Sequence, residues 1–324
     1  MTSETTTPPS TVFRAAGDLR LLTWPALDVS GADAVVAART GGVSSGPYES
    51  LNLSFSVGDD PGRVLENRHR LATAFGADLG DFVFARQVHG ACARVVTESG
   101  QGSGAFRLDD AIDGIDALVT ASPEVVLAIL TADCVPIVLH DPVAGVLACV
   151  HAGWRGTVAG VTAAAVAAMQ DLGSRPSAIV AGIGPAIAAN RYQVGPDVYQ
   201  AVTRAFGSAA NAFIRPDTRP VDRQDASILD ARPHTGPDHA ADRWLLDLWA
   251  ANRHALREAG VPDPQIHTTD LPTGPQGPDP SPTDHTDTAS PTGFFSDRSA
   301  RPCGRLALVA RLRTPGANSM NVAP

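Results

Sequence analysis

Hydrophobic residues in the first half of the chain occur in short runs bounded by Gly, Pro, Asp and Ser, a pattern that predicts β-strands. The first two runs lie at 18–24 and 34–39, and a stretch rich in Gly and Pro follows them. Later runs are DFVFARQVHG and ARVVT on either side of a turn at His89 and Gly90, then DALVT, VVLAILT, VPIVLH, AGVLACVHA, SAIVAGIGPAI and, near the end of the chain, GRLALVARL.

Apolar residues at helical spacing predict four helices. The first covers about 61–76, because Asp60 and Pro61 form a typical helix start. The others are predicted from near Thr157 to Gly173, over 194–207 and over 242–260. Strands precede most helices and no segment repeats, so the pattern favours a mixed α and β fold.

Polar segments rich in Pro, Thr and Ser divide the chain. Residues 1–11 are predicted to form a disordered tail, 12–313 a single domain and 314–324 a C-terminal tail. Within the domain, 272–293 are predicted to form a mobile polar loop. The chain has 324 residues, of which 44% are hydrophobic, and this suffices for a large core.

Composition favours a small-molecule partner. The net charge of −9 and the absence of a basic run argue against nucleic acid. No apolar segment reaches about 18 residues, and the first residues do not resemble a signal peptide, so we expect a cytoplasmic protein without a membrane partner, as a monomer or small homo-oligomer. Every basic residue is Arg, which excludes lysine-based catalysis. Four cysteines are too few for a disulfide framework.

Two residues with metal-binding or nucleophilic chemistry, Cys134 and His151, lie at the ends of neighbouring apolar runs. If these runs form an antiparallel hairpin that turns at 141–145, the numbers of facing residues sum to about 285 or 286. Cys134 then lies opposite His151, with Cβ atoms about 4.5–5.5 Å apart. The pattern therefore predicts that the thiol and the imidazole meet.

A Cys and a His at that distance suit a nucleophile–base pair or two ligands of one transition metal. The best candidate for a third ligand is His89, where another strand ends in a Gly turn. One Cys and two His leave the fourth position of Zn²⁺ open to water, as in catalytic zinc sites, and Cu²⁺ is the alternative ion. Core packing and ordinary hydrogen bonding are competing explanations for each residue.

Further candidates flank these three residues. Arg155 precedes the predicted helix at Thr157 and is a candidate for anion binding. Arg86, Gln87 and Asp133 are candidates for orienting the ligands or a substrate, and Asp133 also for moving protons. Each is equally explained as a structural hydrogen bonder.

A series of motifs between about residues 35 and 311 resembles the YfiH-like family, also known as a laccase-domain or multicopper polyphenol oxidoreductase family. The motifs include RTGGVSSGPYESLNL, RQVHG, TADCVPIVL, HAGWRGT, GIGPAI, YQVG, LDLWAANRHAL and GFFSDR. The resemblance implies an α+β fold, a four-layer α-β-β-α sandwich with mixed β-sheets. It also implies a metal held by His89, Cys134 and His151.

The resemblance further implies a zinc-dependent purine nucleoside phosphorylase with adenosine deaminase activity. The implied substrates are phosphate and a purine nucleoside: adenosine, inosine, guanosine or methylthioadenosine. Phosphorolysis needs an Arg-rich pocket, for which Arg155, Arg86 and Arg298 are the candidates. Asn52 and Phe295 are assigned to substrate binding, Phe295 together with Phe294 as a surface on which a purine could stack.

The C-terminal motif departs from the family pattern. FFSYRR reads FFSDRS here, with Asp297 and Ser299, and Pro272 stands where relatives carry Cys. These changes affect the expected substrate pocket and leave the metal trio intact. The alternatives are a metal-free Cys–His hydrolase, a copper-dependent polyphenol oxidase (laccase), and a protein that binds a nucleoside without turnover.

Overall fold

The computed structural model describes residues 10–219, 242–274 and 293–314. Within these ranges the strands are β1 (Val12–Ala16), β2 (Leu19–Thr23), β3 (Ala32–Ala37), β4 (Phe82–Arg86), β5 (Ala93–Val95), β6 (Ile112–Asp113), β7 (Ala117–Thr120), β8 (Val126–Thr131), β9 (Val135–Asp141), β10 (Val146–Ala152), β11 (Val180–Ile183), β12 (Gln193–Val194), β13 (Ile214–Pro216), β14 (Trp244–Leu246), β15 (Ile266–Thr268) and β16 (Leu306–Leu312). The α-helices are α1 (Pro25–Ser30), α2 (Pro61–Phe75), α3 (Trp154–Ala159), α4 (Val161–Asp171), α5 (Pro196–Phe206) and α6 (Leu248–Glu258).

Two mixed sheets dominate the fold. The larger has seven strands in the order β1-β2-β3-β16-β8-β4-β6, and the second has six in the order β15-β11-β9-β10-β7-β5. In the larger sheet β4 runs parallel to β8 and β6, whereas the other pairs are antiparallel. A small antiparallel sheet, β12-β14-β13, lies apart from these two.

Three apolar layers separate the four structural layers. Leu71 and Phe75 of α2 pack on the outer face of the seven-stranded sheet. The two large sheets pack face to face through residues such as Leu147 and Leu308. Beyond the six-stranded sheet, residues such as Met169 of α4 form the third layer with α5 and α6. The α-β-β-α sandwich expected from the sequence is therefore confirmed.

The hairpin of β9 and β10 lies in the centre of the six-stranded sheet and is buried on both faces. Successive side chains of a strand point to opposite faces. Accordingly Leu147 and Cys149 contribute to the layer between the sheets, while Ala148 and Val150 contribute to the layer beneath the helices. This is why both runs are almost continuously apolar in the sequence.

The register of this hairpin differs from the prediction. Asp141 pairs with Val146 and His151 pairs with Pro136, so facing numbers sum to 287 and Cys134 does not lie directly opposite His151. The cause is the turn. Asp141 was expected within it but is the last paired residue, and its side chain accepts hydrogen bonds from the backbone N–H groups of Val143 and Ala144.

Two predicted helices also differ from the structure, one because it is divided in two and the other because it begins later. The Ala-rich helix begins at Trp154 and not near Thr157, and Gly160, with φ 86°, separates α3 from α4. Because this backbone conformation favours glycine, the break is a feature of the sequence that the Ala-rich pattern conceals. The predicted helix over 242–260 begins only at Leu248, since 244–246 form β14 and pair with β12 and β13.

Several predictions fall on residues outside the described ranges. These are most of the N-terminal tail, all but the first residue of the C-terminal tail, and 275–292 of the polar loop. Within the described ranges, no helix has the length and apolarity needed to cross a lipid bilayer.

Candidate metal centre

The predicted trio meets at one end of the sandwich. The ligand atoms of His89, Cys134 and His151 all lie within 4.8 Å of one another, and Cys134 Sγ is 3.7 Å from His89 Nε2. The imidazole rings of His89 and His151 meet edge to face, with centroids 4.7 Å apart. The exposure of the three residues increases across the site. His151 is buried, Cys134 is intermediate and His89 is exposed, so the site opens on the His89 side.

Each residue of the trio comes from a different element. His89 follows β4 of the seven-stranded sheet, and Cys134 lies in the connection that passes from β8 to β9, between the two sheets. His151 lies within β10 of the six-stranded sheet. The site therefore forms where the ends of both sheets converge, which is where rigid strands can position loop residues.

The backbone is unusual at two points of this site. His89 has φ 59° and Asp133, next to Cys134, has φ 83°; within the described ranges these are the only residues other than glycine with positive φ. Such conformations cost free energy and persist where the surrounding structure fixes them. Here they coincide with the two loops that present His89 and Cys134.

Gly153 leaves the space that the trio occupies. A Cβ atom at this position would lie 2.7 Å from Cys134 Sγ and 2.9 Å from His89 Cδ2. Its φ of −73° is available to any residue, so the requirement for glycine is one of space alone. This explains the small residue in the HAGW motif.

A buried carboxylate, that of Asp116, contacts two parts of the site. Its Oδ1 lies 2.8 Å from His151 Nδ1, and its two oxygens accept hydrogen bonds from the backbone N–H groups of Val88, His89 and Gly90 at 2.7–3.2 Å. Asp116 is fully buried. Burial alone would raise the pKa of Asp116, but its hydrogen bonds, first that with His151, outweigh burial and lower the pKa.

The Cys134 thiol and the His151 imidazole favour a thiolate–imidazolium ion pair. Burial would raise the pKa of Cys134, but the charge of His151 and hydrogen bonds with both histidines outweigh it, and the pKa is lowered to about 6. Burial would lower the pKa of His151, but the Cys134 thiolate and the Asp116 carboxylate raise it to about 9. A thiolate is the form in which cysteine binds metals.

The trio fits a tetrahedral transition metal. Zn–S and Zn–N bonds of about 2.3 and 2.0–2.1 Å place sulfur and nitrogen ligands about 3.5 Å apart at a tetrahedral angle. The 3.7 Å between Cys134 Sγ and His89 Nε2 agrees with this distance. His151 contacts Asp116 through Nδ1, which leaves Nε2 to face an ion. One Cys and two His suit zinc and also copper.

Asp133 joins the Cys134 loop to the C-terminal part of the chain. Its carboxylate accepts hydrogen bonds from Thr273 Oγ1 at 2.5 Å and from the backbone N–H of Arg298 at 2.6 Å. Burial raises the pKa of Asp133, although bonds from Thr273 and Ser296 oppose this. The residue predicted to move protons thus also fixes Arg298 beside the site.

Two of the predicted anion-binding residues flank a tyrosine near Cys134. The guanidinium of Arg298 lies 5.3 Å from the centre of the Tyr192 ring and donates a hydrogen bond to the Gln193 carbonyl. Arg155 lies in α3, with its guanidinium 4.5 Å from the centre of the Trp154 ring. Burial raises the pKa of Tyr192, followed by the Cys134 charge, while Arg298 and Arg155 oppose the increase.

Gln87 and Arg86 have partners of their own. The Gln87 side chain donates to the Leu130 carbonyl and accepts from the Leu130 N–H, at 2.7 and 2.8 Å, so both ends of its amide hold the end of β8. Arg86 is exposed and lies 3.4 Å from Asp113. A role in catalysis for Gln87, or in substrate binding for Arg86, remains a prediction.

Asn52 and Phe295 lie in the interior. Asn52 is fully buried; its amide donates to Asp59 and to the Ser54 carbonyl, and it accepts from the N–H groups of Ser54 and Arg305. Phe295 is 1% exposed. Direct contact with a substrate would require these residues to leave their present positions, so the geometry favours structural roles for both.

Sequence reasoning missed Asp116 and Tyr192. The signal for Asp116 was present: it immediately precedes the largely apolar run of β7, and a carboxylate that is buried with such a strand must be paired. Tyr192 stands in the YQVG motif, but no spacing relates it to the trio. Its position depends on the packing of the small sheet.

Residues 33–313 match the family described as multi-copper polyphenol oxidoreductase laccase. The chain belongs to this family. Its resemblance to YfiH-type proteins, noted from the motifs, is therefore confirmed. A crystal structure of YfiH from Bacillus licheniformis has 30% sequence identity and a TM-score of 0.77, over 93% of this chain and 99% of that one.

Relatives of this chain carry names from purine metabolism. A protein of Streptomyces coelicolor named purine nucleoside phosphorylase is 47% identical over 57% of this chain and 73% of its own length. A protein named adenosine deaminase, from an unknown prokaryotic organism, is 36% identical over 74% of this chain and 84% of its own length. The copper in the family description and the purine chemistry in these names point to different activities.

Proposed function

We propose that this chain is a zinc-dependent purine nucleoside phosphorylase. It uses phosphate to cleave adenosine, inosine, guanosine or methylthioadenosine to the free base and ribose 1-phosphate. The observation that carries the proposal is the convergence of His89, Cys134 and His151 on one position, in a family whose relatives are named for this reaction. Four thiols without disulfides suit a reducing compartment, and we propose the cytoplasm.

The donor set argues against a multicopper oxidase. Such an enzyme needs several copper centres and many histidines, including a type-1 site with one Cys and two His. Within the ranges that the structure describes, His89, Cys134 and His151 form the one cluster of three or more potential ligands. The described residues therefore form one candidate centre, fewer than a multicopper oxidase needs.

The anion is to be bound by arginine, since the chain has no lysine. In the part of the chain that the structure describes, neither Arg298 nor Arg155 forms a salt bridge, and both lie close enough to Tyr192 to oppose its raised pKa. An unpaired guanidinium binds phosphate through two parallel hydrogen bonds. Arg298 is the better placed of the two, because Asp133, Gln193 and Tyr192 hold its backbone and side chain.

The mechanism divides among these groups. His89, Cys134 and His151 would hold a zinc ion, which would supply Lewis acidity when bound. Arg298 and Arg155 hold phosphate and neutralise its charge, which brings the anion within reach of the ribose. The buried carboxyl of Asp133, whose pKa is raised by burial, is the candidate to hold a proton near the site. Gln87 keeps the end of β8 in place beside the Cys134 loop.

Adenosine deamination is the second candidate activity. A relative carries the name adenosine deaminase, and zinc sites with one position open to water suit the attack of water on a purine ring carbon. This reaction needs no phosphate. The two activities therefore separate in one experiment.

That experiment combines metal quantification with product analysis on the wild type and on Cys134→Ala. We expect about one zinc per chain in the wild type, adenine only when phosphate is present, and inosine irrespective of phosphate. Cys134→Ala should lose both metal and products. Cys149→Ala is the matched control, since its thiol is fully buried in the layer between the sheets.

Other outcomes identify the alternatives. Oxygen uptake with phenols and bound copper would support the laccase reading. Hydrolytic activity that needs Cys134 but no metal would support a Cys–His hydrolase. A wild type that binds zinc and nucleoside but forms neither adenine nor inosine would refute the proposed enzyme.

A further inference from the structure

Asp116 and His151 lie side by side in the six-stranded sheet. Val150 of β10 pairs with Ala117 of β7, so His151 and Asp116 are opposite each other one step further along the ladder. The backbone N–H of His151 donates to the Asp116 carbonyl at 2.8 Å, and the side chains meet at the same distance. Both side chains are buried, Asp116 completely. Their separation is therefore set by the sheet.

The same carboxylate supports the loop that carries His89. Three successive backbone N–H groups, those of Val88, His89 and Gly90, donate to Asp116 at 3.2, 3.0 and 2.7 Å. Convergent N–H groups of this kind form an anion-binding concavity. Here the anion is the Asp116 carboxylate. Its charge-assisted hydrogen bonds offset the free-energy cost of the positive φ of His89.

A carboxylate accepts hydrogen bonds and does not donate them. In the neutral imidazole, the form that binds a metal, the proton of His151 must therefore lie on Nδ1, where it is donated to Asp116, and the lone pair lies on Nε2. A metal binds the nitrogen that has no proton, and the hydrogen bond made by the other nitrogen determines which one this is.

We infer that Asp116 is the positioning residue of the metal centre: one carboxylate selects the metal-binding tautomer of His151 and fixes the loop of His89. It orients two of the three ligands, one through its side chain and one through its backbone. The third residue, Cys134, is positioned by the separate connection between β8 and β9. This inference rests on the zinc dependence proposed above.

Asp116→Asn is the decisive variant. In one orientation its NH₂ group faces the N–H groups of Val88 and Gly90, and in the other it donates to His151 Nδ1 and moves the imidazole proton to Nε2. Either arrangement disturbs a ligand while the size of the side chain is unchanged. We expect the zinc dissociation constant, measured by competition with a fluorescent chelator, to rise about 10- to 100-fold.

Asp33→Asn is the matched control. Asp33 is also a buried carboxylate on a strand, at 1% exposure, but its partners are Arg311 and Arg313 and it does not contact the trio. The zinc affinity of the Asp33→Asn variant should equal that of the wild type. A loss of affinity in Asp116→Asn that Asp33→Asn does not share distinguishes positioning from a general loss of stability.

The second measurement needs no variant. Imidazole ¹H–¹⁵N spectra of the zinc-loaded wild type should show His151 protonated on Nδ1 and coordinated through Nε2. A proton on Nε2, or zinc affinity in folded Asp116→Asn within about threefold of the wild type, would overturn the inference even if phosphorolysis is found. A wild type without phosphorolysis but with the expected zinc results would refute the proposed reaction and leave the role of Asp116 standing.

Discussion

At the scale of the residue, the site depends on close contacts that leave no room for larger side chains. A Cβ atom at Gly153 would lie within 2.9 Å of atoms of two of the three candidate ligands, so only the hydrogen of glycine fits there. Asp116 satisfies four donors with two oxygens. We therefore expect the affinity for the proposed metal to depend on Gly153 and Asp116 as well as on the three candidate ligands.

We predict that Gly153→Ala weakens zinc binding about 10- to 100-fold, as changes beside metal ligands typically do. The added Cβ would lie 2.7 Å from Cys134 Sγ, so the thiolate must move. Overpacking should also lower the free energy of unfolding by about 1–3 kcal/mol. Chelator competition and urea unfolding measure the two effects.

Gly80→Ala provides the comparison for this variant. Nothing lies within 4 Å of a Cβ atom at Gly80, and the residue does not have a positive φ. Zinc affinity and stability should match the wild type. Equal zinc binding by Gly153→Ala and Gly80→Ala would show that the ligands have more freedom than the structure implies.

Sequence reasoning correctly predicted that the three side chains meet, because all three residues lie at or near the ends of apolar strands. It succeeded for Cys134 and His151 despite a wrong register, since the side chains reach each other diagonally across the hairpin end. It could not identify the partners of Asp116, which are 26 to 35 positions away in the chain. Asn52 and Phe295 were assigned to substrate binding from the family motifs, and that assignment stays a prediction, although both side chains are buried.

At the scale of the element, Asp133 connects three segments. It accepts hydrogen bonds from Thr273 and Arg298, and its own carbonyl accepts from the N–H of Ile187. The connection between β8 and β9 is thereby attached to the segments on both sides of 275–292. We expect changes in these bonds to alter the position of Arg298.

We predict that Thr273→Val lowers the free energy of unfolding by about 1–3 kcal/mol, because it leaves a buried acceptor of Asp133 without its donor. The substitution preserves shape and removes the hydroxyl that donates to Asp133. Because Arg298 is held by the same carboxylate, the KM for phosphate should rise while zinc content is unchanged. Urea unfolding and initial rates test this.

We expect Thr131→Val to leave the free energy of unfolding unchanged or to raise it. Thr131 is equally buried at 2% exposure, but its hydroxyl has no hydrogen-bond partner in the part of the chain that the structure describes. Exchange for Val therefore removes an unsatisfied polar atom. A similar loss of stability in both variants would mean that the bond to Asp133 contributes nothing.

Elements were predictable where helical spacing or an almost continuous apolar run is clear, as in α2 for the first and in β9 and β10 for the second. The helix predicted over 242–260 was wrong at its start because Trp244 and Leu245 fit both a helix face and a short buried strand. Only the partners β12 and β13 decide between the two. The division at Gly160 likewise depends on a backbone angle that composition does not reveal.

At the scale of the whole molecule, a second buried polar region lies in the β9 strand away from Cys134. His140 is 2% exposed and its Nδ1 lies 2.9 Å from Ser30 Oγ, at the end of α1. Burial lowers the pKa of His140 to about 4; the charge of Asp141 opposes this and that of Arg313 adds to it. His140 is therefore neutral in the folded protein at pH 7.

We predict that acid destabilises the protein partly through His140. The unfolded chain binds a proton at this residue near pH 6.5, but the folded chain does so only near pH 4, so stability falls as pH drops through that window. Between pH 7 and 4.5 the wild type should lose about 2 kcal/mol more than His140→Asn. Urea unfolding at both pH values gives the difference, and parallel pH profiles would contradict it.

The four-layer architecture followed from the family resemblance and not from periodicity. Alternation identified strands, but no pattern within one run states that β8 and β9, consecutive in the chain, belong to different sheets. That crossing creates the position of Cys134. The hydrophobic pattern of a single segment predicts which of its residues are buried. The arrangement of strands in the two sheets determines which residues from distant segments come into contact.

Because the ligands come from both sheets, the centre cannot exist before the sandwich is assembled. An unfolded chain holds His89 45 positions from Cys134 and offers an ion no common point. We therefore expect the proposed zinc ion to be captured only after the two sheets have packed together. On this proposal, a newly made chain competes with other proteins for zinc only once its sandwich has formed.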